Sequence, residues 1–429
     1  MHSALARVPD RDADQLVSIL DSIEQLIHAE ATGVAHGQFG DVRVGSHFQP
    51  IFSLSHGRPI GCEAFLRAQD AHGVEVPPYD VFQLTDNNLE LMLLDRLACA
   101  LHLHNFRATP NAIGWLFLNI NLDVFINSMH DGSFFTQLFE RTHFPAQRVV
   151  LEVIEGTDAD GDAELHAAVD YCRALGCLVA IDDFGRRNAN FDRVWRLRPD
   201  VVKFDRFLIA RAARDSDTRR VMANLTSLLH DTGALVLMAG VETQDEALVA
   251  LEAGVDLVQG FDFAHPAADI PPPDAQLAQF DALWRHARLL PARCLGRPVV
   301  DLAALRPKFL AASAAIAAGE ALANAARFLF DCSSFARAKL LDGAGSVLEE
   351  LVGTAPTDRF APLQFAPGGF YGGRDYVRGA LAQLGEPYLG KPHRSVHERT
   401  PVSTVALAFN MAGDSDLRIL AADFVPRET

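Results

Sequence analysis

The chain has 429 residues, 49% of them hydrophobic, and a formal net charge of −17. That length supports one large core with a smaller one beside it, so two domains are expected. The negative balance argues against binding to DNA or to an anionic membrane surface, although a local basic pocket for a phosphate stays compatible with it.

In chain order, residues 12–31 place Leu16, Ile19, Leu20, Ile23, Leu26 and Ile27 at helical spacing with acidic residues opposite. This predicts an amphipathic helix packed on the following domain or on a second copy of it. Eight short apolar runs come next, at 47–54, 59–67, 115–121, 149–155, 178–183, 201–205, 235–240 and 257–260. Between them lie helical patterns such as 163–175 and 210–230. Strands alternating with helices call for a parallel sheet, so the fold class is α/β: a (β/α)₈ barrel, with an open doubly wound sheet as the alternative. The first two runs are joined by only Ser55-His56-Gly57-Arg58, too short for a crossover, and should pair antiparallel. Ile270-Pro271-Pro272-Pro273-Asp274 closes this unit, and helices are expected over 275–290 and 307–326. Strand-like runs follow at 327–330, 336–341, 347–351, 402–409 and 417–424, with Asp342-Gly343-Ala344-Gly345 as a hairpin turn and 376–384 as a helix. The expected domains are therefore a lead-in over 1–45, a barrel over 46–270, a helical linker over 271–326 and an α+β module over 327–429.

The sequence shows no run of about 18 apolar residues and no basic flank before an apolar core, so a cytoplasmic protein without a membrane span is expected. Its six cysteines contain no CxxC pair and read as reduced core residues. The chemistry concentrates in polar groups placed within or at the ends of the apolar runs: Glu63, Asn119, Glu152, Lys203 and above all the pair Asp182-Asp183. Adjacent carboxylates repel unless a cation lies beside them. An Asp-rich turn capping the next helix would produce the same pair. Repetition across several strands favours the metal reading.

From about residue 48 to 266 the chain resembles the EAL family of cyclic di-GMP phosphodiesterases, whose Glu-Ala-Leu signature stands here as Glu63-Ala64-Phe65. The resemblance rests on Phe48-Gln49-Pro50-Ile51, Glu63 through Arg67, Leu118-Asn119-Ile120-Asn121, Glu152-Val153-Ile154-Glu155, Asp182-Asp183-Phe184-Gly185, Lys203-Phe204-Asp205-Arg206, Gly240-Val241-Glu242-Thr243 and Val258-Gln259-Gly260, in family order and spacing. It implies a modified TIM barrel with one antiparallel strand and a site at the C-terminal strand ends. It also implies that Glu63, Asn119, Glu152 and Asp182 ligate a first Mg²⁺ or Mn²⁺, with Asp182 bridging to a second ion held by Asp183. By the same resemblance Lys203, Glu242, Gln259 and Glu155 are the catalytic set, Lys203 polarising the attacking water. Gln49, Arg67, Asn121 and Asp205 would contact the nucleotide.

Two departures stand out. Ala239 takes the place of a glutamate that binds the second metal in the family, and Arg186-Arg187-Asn188-Ala189-Asn190 replaces a loop close to Thr-Gly-Tyr-Ser-Ser. The expected function is thus a degenerate EAL protein serving as a cyclic di-GMP receptor or signalling regulator. The alternative is an active phosphodiesterase releasing linear pGpG, its second ion held by Asp182, Asp183, water and Glu242 or another carboxylate. A scaffold acting by protein contacts alone is the third reading. The tail resembles PAS-like or Cache-like sensory modules at Phe370-Tyr371 and Arg374-Asp375-Tyr376, which implies a small ligand there. A homodimer and protein partners complete the expectations.

Overall fold

Strands in which every position is buried have no face to give to water, so they are covered on both sides. Val201–Phe204 and Leu235–Met238 are buried at every position. The computed structural model describes residues 16–85, 87–121, 124, 134–154, 162–186, 191–287, 300–353, 371–372, 374–390, 393–394, 401–413 and 416–425. Its strands are β1 (Ile27–Ala29), β2 (Ala35–Phe39), β3 (Val42–Ser53), β4 (Arg58–Gln69), β5 (Glu75–Val76), β6 (Trp115–Asn119), β7 (Val149–Ile154), β8 (Leu178–Phe184), β9 (Val201–Phe204), β10 (Leu235–Met238), β11 (Leu257–Val258), β12 (Phe335–Asp342), β13 (Val347–Val352), β14 (Tyr388–Leu389), β15 (His393–Arg394), β16 (Pro401–Asn410) and β17 (Leu417–Phe424).

One eleven-stranded sheet runs in the order β1-β2-β3-β11-β10-β9-β8-β7-β6-β4-β5 and closes through a further β3–β4 pairing, so that the eight strands β3, β4 and β6 to β11 form a barrel. β4 pairs parallel with β6, β6 with β7, β7 with β8, β8 with β9 and β10 with β11. β3 runs antiparallel to β11. This is the (β/α)₈ barrel with one reversed strand expected from the alternation, and the open sheet is excluded. The reversal follows from the short turn after Ser53, where the amides of His56 and Gly57 both donate to Ser53 O. Gly57 is required there: it has φ 61°, and a Cβ would lie 2.4 Å from the Trp284 ring.

By packing, the chain forms two compact units. One contains residues up to Ile51 with Pro59–Arg206 and Gln259–Pro273; the other contains Phe52–Arg58, Phe207–Val258 and the residues from Asp274 onward. In the first, helix Leu16–Leu26 buries Leu20 and Ile23 against its own unit, and Arg141 pairs with Asp21 at 2.7 Å and Glu24 at 3.1 Å. In the second, β12 to β17 form a six-stranded sheet in the order β13-β12-β17-β16-β14, with β15 on β16. Helix Leu302–Ala317 covers one side through Leu305, Phe309 and Ile316, and helix Asp375–Ala382 packs Tyr376, Val377 and Ala380 against Leu341, Ala406, Ile419 and Ala421.

Several expected boundaries shift for local reasons. The N-terminal helix ends at Leu26, because residues 27–29 leave it to pair with β2. The pattern over 210–230 is two helices, Arg206–Arg214 and Ser216–Asp231, broken where the Asp215 carboxylate caps the amides of Asp217 and Thr218. The helix expected from Pro307 starts at Leu302 under the Asp301 cap, with Pro307 inside it. Residues 327–330, expected as strand, form the 3₁₀ helix Arg327–Asp331; four apolar residues are too few for periodicity to decide. Residues 12–15, 288–290 and Phe370 lie outside the described residues.

His102 is buried and shares a proton with Ser46, Oγ to Nδ1 2.7 Å. Burial first, and then the Arg67 charge, push its pKa from 6.5 down to about 3. The unfolded chain therefore binds a proton between these values that the native state refuses, so stability falls as pH drops below 6.5, by up to ~1.4 kcal/mol per unit. Denaturant unfolding of His102→Gln between pH 7 and pH 4 should give a shallower loss than wild type; equal slopes would remove His102 from the account.

Candidate functional site

Strand register assembles the site. Asn119 pairs with Glu152 across β6–β7, Glu152 with Ala180 across β7–β8, and Ala180 with Val201 across β8–β9. Side chains two apart share a face. Asp182 therefore follows Ala180 on the face of Glu152, and Lys203 follows Val201. Between Ile181 and Phe184 the β8–β9 register slips, so that Asp182 and Asp183 together oppose Lys203 alone. This is a β-bulge, a device that redirects a side chain next to a site. Asp183 takes φ 57° in it.

The Lys203 ammonium lies 2.7 Å from Glu152 Oε1, 3.0 Å from Glu63 Oε2 and 3.5 Å from Asp182 Oδ1. Asn119 Nδ2 donates to Glu63 Oε1 at 2.9 Å, and Gln259 Nε2 donates to Glu63 Oε2 at 2.8 Å. Glu152, Lys203 and Gln259 are each at most 2% exposed. Burial alone would lower the pKa of Lys203, but Asp182, Glu152 and Glu63 hold it well above its ordinary value. Burial, and then the charge of Glu63, push Glu152 well above the carboxylate range. Burial also raises Asp182. For Glu63 burial is outweighed by Lys203 and by the Asn119 and Gln259 donors, and its pKa falls.

One ammonium faces three carboxylates, so the cluster is short of positive charge. Ligand oxygens of Glu63, Glu152 and Asp182 lie within 4.8 Å of one another. Both Glu152 oxygens are buried, with the Lys203 ammonium against Oε1 at 2.7 Å, and hard oxygen donors at this spacing suit a small divalent cation. The residues present fit such an ion.

The remaining candidates are placed differently. Gln49 is buried and donates to Ala264 O at 2.9 Å. Arg67 donates to Leu66 O at 3.0 Å with its guanidinium over the Phe65 ring. Asn121 accepts from the amide of Val124. The Asp205 amide donates to Phe184 O, and its side chain is buried. Glu242 is exposed in the second unit, its amide donating to Glu246 Oε2 at 2.7 Å. Ala239 directly follows β10 and is half-buried. Asp183 Oδ2 accepts from Arg186 Nη1 at 2.9 Å. Glu155 and residues 187–190 lie outside the described residues.

One residue escaped the motif reading. Asp95, buried on helix Asn88–Ala108, accepts from the Asn121 amide at 3.0 Å and so fixes the end of the segment carrying Asn119 and Asn121. An Asp-Arg pair between leucines at 93–97 was the available signal. Arg186 was noted in the altered loop, but its partner is revealed only by the bulge.

With this geometry in place, the profile of the EAL domain family matches residues 38–266, more than half of the chain. The chain belongs to the EAL domain family. Its relatives include the cyclic di-GMP phosphodiesterase RocR of Pseudomonas aeruginosa, 25% identical over 267 residues that cover 61% of this chain and 64% of RocR. The cyclic di-GMP phosphodiesterase PdeL of Escherichia coli is 23% identical over 233 residues, 51% of this chain and 61% of PdeL. The chain thus spans less than two thirds of either relative. The crystal structure of the Bacillus subtilis YkuI protein, an EAL-domain protein in complex with cyclic di-GMP and calcium, superposes with a TM-score of 0.50 and 17% identity, covering 96% of this chain and 99% of YkuI. At that identity the likeness is one of fold, and it reaches past the barrel into the C-terminal sheet. No described helix is long and apolar enough to cross a membrane.

Removing the ammonium tests the electrostatics of this EAL centre. Lys203→Met leaves three buried carboxylates without their cation, a loss of about 3–5 kcal/mol. The variant should melt well below wild type in chelator, and millimolar Mg²⁺ or Mn²⁺ should recover a larger share of its stability than it adds to wild type. Equal melting in chelator would refute this balance of charge.

Proposed function

We propose that this EAL protein is a cyclic di-GMP receptor with weak or no phosphodiesterase activity. The observation that carries the reading is a contrast in donor sets. Glu63, Glu152 and Asp182 bring oxygen donors together for one divalent ion, with Asn119 as a fourth ligand by the family resemblance, whereas the position after β10 that resembles a second ion's glutamate offers the methyl of Ala239. Hydrolysis by two ions needs both, one to generate the nucleophile and one to stabilise the charge of in-line displacement. A bound Mg²⁺ or Mn²⁺ would polarise a phosphodiester oxygen at the first position.

The chain's own residues supply the rest. Lys203 is held charged by the three carboxylates and offers a fixed positive charge for a phosphate or a water. Gln259 and Asn119 fix the Glu63 carboxylate by donating to opposite oxygens. Arg67 brings a two-pronged donor suited to phosphate. The curated names of RocR and PdeL, and the nucleotide in the YkuI crystal structure, support cyclic di-GMP as the ligand class.

Calorimetric titration with cyclic di-GMP in Mg²⁺ or Mn²⁺, alongside chromatography of the linear dinucleotide, tests the reading. Binding with little or no hydrolysis is expected. Rapid hydrolysis would replace it with an active phosphodiesterase, and absence of binding with a role through protein contacts. Arg67→Ala should weaken binding by roughly ten- to more than a hundredfold, the equivalent of about 1.5–3 kcal/mol. An unchanged affinity would show that this arginine does not reach the nucleotide.

A further inference from the structure

We infer that the Arg186 guanidinium takes the place of a second metal cation beside Asp183, so that the centre accepts one divalent ion with ease and a second only in competition with a fixed positive charge. This deepens the receptor reading and rests on it.

The β8 bulge brings two carboxylates opposite one lysine. Their charges part company there. The Asp182 oxygen faces Lys203 and belongs to the group with Glu63 and Glu152. Asp183 is absent from that group, the one set of three or more such ligands found together among the described residues. The Asp183 amide folds back onto Asp182 Oδ1 at 2.8 Å, and φ 57° kinks the strand at the bulge before Phe184 pairs again with Phe204. Asp tolerates that left-handed conformation better than most residues. The amide of Arg186 then closes the turn on Asp183 O at 3.2 Å, and its side chain returns to the Asp183 carboxylate, Nη1 to Oδ2 2.9 Å. Each member of the Asp pair thus has its own fixed cation. This answers the repulsion between adjacent carboxylates that otherwise calls for a metal ion.

Against the family pattern, this chain loses one carboxylate at Ala239 and gains a guanidinium at Arg186, the one of its two new loop arginines that lies among the described residues. A lost ligand alone would leave Asp183 as bare negative charge that still attracts a cation. The guanidinium removes that attraction. Because the pair is open to solvent and screened by salt, it weakens a second ion without barring it.

Manganese titration of the full chain, followed calorimetrically and by the electron paramagnetic resonance signal of free Mn²⁺, tests this without relying on turnover. Wild type should bind one ion per chain. Ala239→Glu should add a weak second ion. Arg186→Thr in the same chain should tighten that second ion at least tenfold, while Arg186→Lys with Ala239→Glu should behave like Ala239→Glu alone. A second ion held equally by Ala239→Glu with and without Arg186, or two ions of similar affinity in wild type, would overturn the inference. The receptor reading fails on a different result, rapid cyclic di-GMP hydrolysis by wild type. A wild type that binds the nucleotide without cleaving it, together with metal titrations indifferent to Arg186, would leave that reading standing and sink this one.

Discussion

The centre of this molecule depends on a single ammonium buried among three carboxylates. Lys203 is 2% exposed and lies within 3.5 Å of Glu63, Glu152 and Asp182, which arrive from three different strands. Removing charges from water is expensive, and attraction offsets the cost only where the partners are fixed. The parallel register fixes them: Asn119 opposite Glu152, Glu152 opposite Ala180, Ala180 opposite Val201. A slip of one residue in any of these pairings would turn a carboxylate away and leave the lysine uncompensated. The same arrangement leaves an excess of negative charge, so the need for stability in the barrel and the capacity to hold a cation are two aspects of one cluster.

The bulge at Asp182 and Asp183 adds a second level of control. A regular β8 would place consecutive side chains on opposite faces. The extra residue breaks the alternation and gives each carboxylate its own partner, Asp182 facing Lys203 and Asp183 facing Arg186. On the proposal made above, what lies against Asp183 separates binding one cation from binding two, a matter of a few side chains at one bulge.

The C-terminal sheet uses buried charge in another way. Lys339 reaches Asp423 at 2.6 Å, Thr404 donates to the other Asp423 oxygen at 2.6 Å, and Arg337 reaches Glu350 at 2.6 Å. All four charged groups are nearly inaccessible, each at most 5% exposed at the side chain. Pairs of this kind seldom add stability over apolar packing, but losing one partner strands the other. They also explain why the strands of this module looked plain in the sequence. A Lys or Arg in a short strand reads as a solvent-facing residue until the opposite strand supplies a carboxylate.

By itself the sequence determined an α/β fold of eight apolar runs spaced by helical patterns, with a four-residue turn before Pro59 that called for one reversed strand, while closure of the barrel rather than an open sheet was decided by the β3–β4 pairing. It also singled out Glu63, Asn119, Glu152, Asp182, Asp183 and Lys203, because polar groups inside or at the ends of runs that must be buried on both faces are rare and costly, whereas Gln259 came only from the family resemblance. The short strands β1, β2, β5, β14 and β15 were not legible, being two to five residues long and defined by a partner rather than by composition. The 3₁₀ turn at Arg327–Asp331 and the break at Asp215 were hidden for a similar reason, as capping and tertiary packing override a short periodic pattern. Only the tertiary structure decided that Asp95 anchors Asn121, that Asp182 and Asp183 share a bulge, and that Arg186 returns to Asp183. Sequence spacing ranks residues by the period of an element. Which charges neutralise one another depends on register across strands and on where a turn sends the chain, and both are settled when the sheet closes.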